Sequence, residues 1–288
     1  MKTTQLKSVV GLFFFGLGAF QLPGQALLWE ISGNGLSEKS YLFGSIHIQD
    51  KRVFQLDSEV WNRFEKASNF ALEFDLESVN QHAMATRMMM SKSYSELLSE
   101  EDYQLLKNVI EEHTEIPFFA IQRMKPFFVS ALISQSVLAM DEDHPLDLFL
   151  LKKARESNKT ILELESFDEQ INVIDNIPFD EQLEGLLKLI RNPDLKNSLE
   201  TEVENLVTTY VSQDDTKLYQ LILESDESET FMERFLIERN HNMLKKIQTF
   251  IAAGSTFIVV GAGHFAGDEG LVQLLKNNGY TLTPIKFN

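Results

Sequence analysis

The stretch that decides how this chain folds is Thr256-Phe-Ile-Val-Val-Gly-Ala-Gly-His264-Phe-Ala-Gly-Asp-Glu-Gly270. Its first half is apolar and β-branched, which predicts a buried strand over Thr256–Gly261. Glycines then break the strand, one histidine follows, and a helix is expected over Asp268–Asn278. The same pattern stands near the other end as Ser40-Tyr-Leu-Phe-Gly-Ser-Ile-His47. Both segments therefore deliver Gly-x-x-His at the carboxyl end of a strand. In open α/β sheets ligands bind beyond those ends. Glycine there allows a sharp turn or a close backbone approach, and an imidazole three residues on can offer a nitrogen to a metal. Two such motifs predict that His47 and His264 meet and hold an ion. The alternative is two separate histidines that cap strands by hydrogen bonds.

Working outward, Leu27–Ser32 and Ser40–His47 read as strands joined at Gly33-Asn34-Gly35. Val53–Ala67 has helical periodicity. Asn69–Leu76 alternates Phe70, Leu72, Phe74 and Leu76 against polar neighbours and reads as a strand, and Thr160–Glu165 reads as another. Between them lie long helical stretches punctuated by Pro117, Pro126, Pro145, Pro178 and Pro193. Met84 and Met88 stand four apart, a spacing that reads as core packing, with a methionine copper site as the rival. Tyr280–Lys286 closes the chain as an edge strand containing Pro284. This order gives an α/β (mixed α+β) class: a central mixed sheet with large helical insertions.

The totals bound the function. The net charge of -17 disfavours nucleic acid and anionic lipid as partners. The absence of cysteine excludes a disulfide framework, thiolate metal ligands and a cysteine nucleophile. Residues 1–26 read as a secretory signal peptide: Lys2 and Lys7 precede an apolar Val9–Phe20, and Gly24 and Ala26 are small residues at a cleavage site. Residues 27–288 are then one domain, secreted or periplasmic, with no stable membrane span after cleavage. An uncleaved membrane anchor is the alternative.

Glu73 sits within an otherwise apolar strand, where acids are disfavoured. It reads as a metal ligand or general base, or else as part of a solvated face shared with Asp75. Glu165 raises the same choice beside Glu163. Two histidines and one carboxylate make a common catalytic metal site. On the helix expected over Phe231–Ile251, Arg239 and Asn240 fall on the inward face. A buried guanidinium needs a partner: a core carboxylate, or a substrate carboxylate or developing oxyanion. His82, His113, His144 and His241 read as surface histidines.

These residues resemble the TraB/GumN family, which includes the Tiki-type membrane-associated metalloproteases. The similarity runs through Leu28 to Ser32, Tyr41 to His47, Leu72 to Asp75, Met124 to Phe127, Leu164 to Ser166 with Glu169 and Gln170, Glu238 to Asn240, and Val260 to Gly267. The resemblance implies a fold similar to erythromycin-esterase and heme-uptake ChaN-like proteins. It implies one site lined by both Gly-x-x-His motifs, the strand glutamate and the helical arginine, with manganese or cobalt favoured and zinc as an alternative. His47, His264 and Glu73 would be ligands. Glu73, Arg239 and Glu165 would serve catalysis, Glu165 by orienting a histidine. Asn240, Gly44, Gly261 and Gly263 would meet a peptide or small-molecule substrate. The family pattern often has glycine where this chain has Glu163. The function expected is a divalent-metal-dependent hydrolase, a peptidase. The alternatives are a metal-free esterase-like hydrolase and a non-catalytic binder of a peptide, pheromone or heme.

Overall fold

The computed structural model describes residues 26–75, 77, 79–224 and 233–287. The expected signal segment, apart from Ala26, and the acidic run 225–229 lie outside the described residues. The strands are β1 (Leu28–Gly33), β2 (Ser40–Ser45), β3 (Asn69–Leu72), β4 (Thr160–Glu163), β5 (Thr256–Gly261) and β6 (Tyr280–Ile285). They form a six-stranded mixed sheet in the order β4-β3-β5-β2-β1-β6. The four on one side, β4, β3, β5 and β2, are parallel. The β1 strand runs antiparallel to β2, and β6 antiparallel to β1.

The apolar run 256–261 is central because it pairs on both sides, with β2 and with β3. A strand covered on both faces must be apolar at every position. Phe257 and Val259 face one core, with Phe43, Phe70 and Phe64. Ile258 and Val260 face the other, with Trp29, Leu42 and Ala71. Pro284 is tolerated because β6 is the edge and needs no donor on its outer side.

The helices are α1 (Ser58–Lys66), α2 (Gln81–Met88), α3 (Tyr94–Leu97), α4 (Glu100–His113), α5 (Phe118–Ile121), α6 (Pro126–Gln135), α7 (Leu146–Glu156), α8 (Phe167–Asp175), α9 (Phe179–Ile190), α10 (Leu195–Val211), α11 (Asp215–Glu224), α12 (Arg239–Ala253) and α13 (Leu271–Asn277). Four of the prolines start helices: Pro117, Pro145 and Pro178 are N-caps, and Pro126 occupies the first turn of α6. A fixed φ suits those positions, and the missing N–H is not needed there. Helices α1 and α7 and the latter part of α10 cover one face of the sheet, and α12 and α13 cover the other. A third apolar cluster lies away from the sheet and joins α3 to α6 with α9 and the start of α10.

Several boundaries differ from the sequence reading. The helix expected over Val53–Ala67 divides into a 3-10 turn, Lys51–Phe54, and α1, because Asp50 and Asp57 each cap a separate start. The strand expected to reach Leu76 ends at Leu72. Beyond it Glu73 turns to side-chain partners, and the Asp75 amide donates to Glu163 Oε1. Asp75 itself is buried and paired with Arg155, so it belongs to no solvated face. Met84 and Met88 are only half-buried, on a helix with no buried residue, so the core-packing reading of that pair does not hold.

Helix α11 opens with Asp215, a buried carboxyl. Burial pushes its pKa up to about 6, against the backbone donors at the helix start. An acid whose folded-state pKa is raised costs nothing below its unfolded value, and the cost builds as pH rises from that value to the folded one and is complete above it. At neutral pH that cost is ~3 kcal/mol. Asp215→Asn is therefore expected to raise the melting temperature by several degrees at pH 7.5, with the gain shrinking between pH 6 and pH 4. A gain that does not change with pH would show that the carboxylate charge is not the cause.

Candidate active site at the carboxyl edge of the parallel strands

The four parallel strands end together. Ser45 lies opposite Gly261, and Leu72 opposite both Val259 and Glu163. Just past each end the chain carries a group able to do chemistry: His47 after β2, His264 after β5, Glu73 after β3 and Glu165 after β4. Residues distant in sequence meet here because strand order interleaves the two ends of the chain.

Glu73 is held by three donors. The Gly261 amide donates to Oε1 at 2.8 Å. Arg239 Nη2 and Gln170 Nε2 donate to Oε2 at 2.6 and 3.1 Å. Burial pushes this carboxyl up, but the Arg239 charge, followed by the His264 ring in its charged form and the Gly261 amide, outweighs burial and holds it down at about 2. Glu165 is buried more deeply and receives Arg239 Nε and Nη2 at 2.9 and 2.6 Å, with Gln170 Nε2 at 3.2 Å. Arg239 is itself largely buried. Burial works against its charge, but Glu73 and Glu165 prevail and raise its pKa. Of the two roles open to Arg239, the structure gives it the core-carboxylate partner.

His264 is buried on a 3-10 turn, Ala262–His264. Its Nδ1 lies 2.6 Å from Asn240 Oδ1, while Asn240 Nδ2 donates to the Glu269 carbonyl at 2.8 Å. The amide oxygen therefore faces the ring and can only accept, so Nδ1 carries the proton and Nε2 the lone pair. Burial lowers the His264 pKa to about 4, with the Glu73 charge opposing. The ring is neutral at pH 7.

His47 differs. It is exposed, at the rim, and its Nδ1 lies 3.1 Å from both carboxylate oxygens of Asp147 in the first turn of α7. The Asp147 hydrogen bond raises its pKa against desolvation, and the Glu73 charge adds to the rise. The Asp147 partner was not legible in the sequence, since an acid opening a helix is ordinary and lies 100 positions away. The expectation that Glu165 orients a histidine is corrected: Asp147 and Asn240 take the ring nitrogens, and Glu165 is committed to Arg239.

The glycines divide by role. A Cβ on Gly261 would stand 3.4 Å from Glu73 Oε1 and 3.8 Å from His264 Cδ2, so both groups border the backbone of this glycine. A Cβ on Gly44 would press on Ala262 and Phe265 at 3.1 to 3.2 Å, and its carbonyl accepts from the buried Tyr210 hydroxyl at 2.7 Å. Gly44 thus lets the Ala262–His264 turn pack tightly against β2. Gly263 lies within that turn. His241 pairs with Glu269 at the surface, 2.7 Å away.

Among the described residues, no three histidine or carboxylate groups converge closely enough to hold a metal ion. The tautomers of the two imidazoles suit a metal, although the rings sit differently, His264 enclosed and His47 open to solvent. Each ring has Nδ1 committed to an orienting acceptor, the arrangement that presents Nε2 to an ion. The carboxylate part is incomplete: both oxygens of Glu73 accept donors, two at Oε2 and one at Oε1 among the described residues, so Oε1 alone keeps a second lone pair for an ion.

No solved structure matches the chain. It is similar to a protein of Treponema pallidum (strain Nichols), at 23% identity over 281 residues, covering 88% of this chain and 80% of that one. It is similar to Metalloprotease TIKI2 of Danio rerio, at 22% identity over 310 residues, covering 88% of this chain but only 60% of that protein. The protein YbaP of Escherichia coli (strain K12) is 22% identical over 240 residues, covering 82% of this chain and 87% of that one. The model of the TraB/PrgY/gumN family matches residues 27–284, and the chain belongs to that family.

Proposed function

We propose that the chain is a metal-assisted hydrolase that cleaves peptide bonds at the carboxyl edge of β4, β3, β5 and β2. One observation carries the reading: two imidazoles stand at the ends of adjacent parallel strands, each with Nδ1 committed to an acceptor. The distant relationship to proteins named as metalloproteases supplies the reaction class. A bound divalent ion supplies polarisation of the scissile carbonyl and a water acidified toward neutrality.

The chain's own groups do the rest. His264 offers a neutral Nε2, held in that tautomer by Asn240. His47 offers its Nε2 from the rim, aimed by Asp147. Glu73 is a poor general base, since its proton affinity lies far below the working range. Its use is as a fixed negative charge and, through a remaining lone pair on Oε1, as an acceptor or ligand on the side where His264 lies. Arg239 keeps that charge in place. Manganese or cobalt suits the resemblance, and imidazole donors accept zinc as well. The substrate is a peptide, and the location is secreted or periplasmic through the signal at residues 1–26. No helix among the described residues is long and apolar enough to cross a membrane.

The His47–Asp147 pair favours a second reading, metal-free hydrolysis, in which His47 Nε2 takes the proton of water while Asp147 stabilises the imidazolium. Exhaustive chelation separates the two. Loss of peptide-library cleavage, restored by manganese, supports the first; cleavage that survives chelation selects the second.

The ligand assignment has its own test. His47→Ala and His264→Ala should each abolish manganese or cobalt uptake in elemental analysis, and full occupancy in the double variant would overturn it. Asp147→Asn keeps the shape but weakens the acceptor on His47 Nδ1. Calorimetry should show metal affinity down by ~10- to 100-fold, with melting temperature little changed. Equal affinity would remove Asp147 from the site.

A further inference from the structure

Gln170 touches both carboxylates of the buried ion cluster. Its Nε2 lies 3.1 Å from Glu73 Oε2 and 3.2 Å from Glu165 Oε2. Those two oxygens also share Arg239 Nη2, at 2.6 Å each. Two carboxylates thus meet one guanidinium in a largely buried place. An amide NH2 has two donor hydrogens. Gln170 can give one to each oxygen, which makes it the neutral complement of Arg239.

The aim of Gln170 is built in. Helix α8 starts in a capping box between Ser166 and Glu169. Ile171 and Ile174 bury one side of the helix. Another side is tied to the first helical insertion: Arg87 of α2 bonds Asp168, Asn172 and Asp175, and Lys125 pairs with Asp175. With those sides fixed, the Gln170 side chain points at the carboxylates.

We infer that Gln170 is a positioning residue: its amide clamps the Oε2 atoms of Glu73 and Glu165 against Arg239, and so keeps Glu73 Oε1 on the Gly261 amide. The inference deepens the hydrolase reading and rests on it for its consequence in catalysis. Its structural content stands independently. Without the clamp Glu73 has two donors instead of three, one per oxygen, and its carboxylate can rotate. A glutamate at 170 would set an acceptor where a donor is needed and bring a third carboxyl to one guanidinium.

The test compares Gln170→Met, which keeps length and loses the donors, with Gln170→Glu, which keeps shape and reverses the polarity. Both are checked for cooperative melting. The decisive readout is hydrogen exchange of the Arg239 Nε–H, which donates to Glu165 and is visible by NMR without metal or substrate. Exchange should accelerate at least tenfold in both variants. Exchange unchanged in either folded variant would overturn the inference. Should Gln170→Met fail to fold, Gln170→Glu at pH 7 carries the same comparison. With cobalt added, affinity should fall ~10-fold or more in both, as for other groups that orient a ligand, and kcat on a cleaved peptide should fall with KM little changed. If the unaltered protein takes up no cobalt, the metal reading fails, while Arg239 exchange still decides the role of Gln170.

Discussion

Everything at the carboxyl edge depends on one guanidinium. Arg239 lies between Glu73 and Glu165, and all three are largely removed from water. Ionised groups of this kind are costly to bury, and removing one member of such a pair typically costs about 3–5 kcal/mol. The arrangement stands because three strand ends and a helix converge on it. Glu73 follows β3, Glu165 follows β4, the Gly261 amide closes β5, and Arg239 opens α12. The ion cluster reports that the parallel sheet is correctly assembled, since a slip of one residue in β3 or β4 would turn a carboxylate to the opposite face.

The same cluster divides Glu73 into two functional halves. Oε2 is structural, bonded to Arg239 and Gln170. Among the described residues Oε1 accepts one donor, the Gly261 amide, beside which His264 also lies. A carboxylate fixed in this manner cannot act by gaining a proton near neutrality. It can act by charge: it raises the proton affinity of His47 and opposes the burial that lowers that of His264. The two imidazoles therefore differ although their motifs look alike. One is enclosed, neutral and held by an amide. The other is open and held by a carboxylate.

Much of this was legible in the sequence, and the limits are physical. The strand at 256–261 could be read because a central parallel strand must be apolar throughout. The inward placement of Arg239 and Asn240 followed from helical periodicity alone. What escaped was pairing over distance. Nothing local distinguishes Asp147 from any acid opening a helix, and nothing in Gln170 announces that it will face two carboxylates. The end of β3 was read too far for a related reason. Phe74 continues the alternation, but the side-chain demands of Glu73 and the Glu163–Asp75 contact decide where the ladder stops. Alternation reports which face is buried; it does not report where backbone pairing gives way to side-chain bonds.

Family membership and geometry constrain different things. Sequence similarity extends over nearly the whole described chain, yet at 22–23% identity it carries the fold and the recurring motifs rather than a substrate. Geometry carries the chemistry, and here it sets a buried ion cluster beside two imidazoles of unequal burial. The ion cluster is complete without any ligand. The imidazoles are each oriented through Nδ1, and among the described residues no three ligands converge. His47, at the rim and outside the hydrophobic clusters, has room to turn. His264 has none, because Asn240 ties it to the Glu269 backbone and Gly44 lets its turn lie against β2. The enclosed imidazole is thus the fixed half of the site and the exposed one the adjustable half, a division that follows from burial before any chemistry is considered.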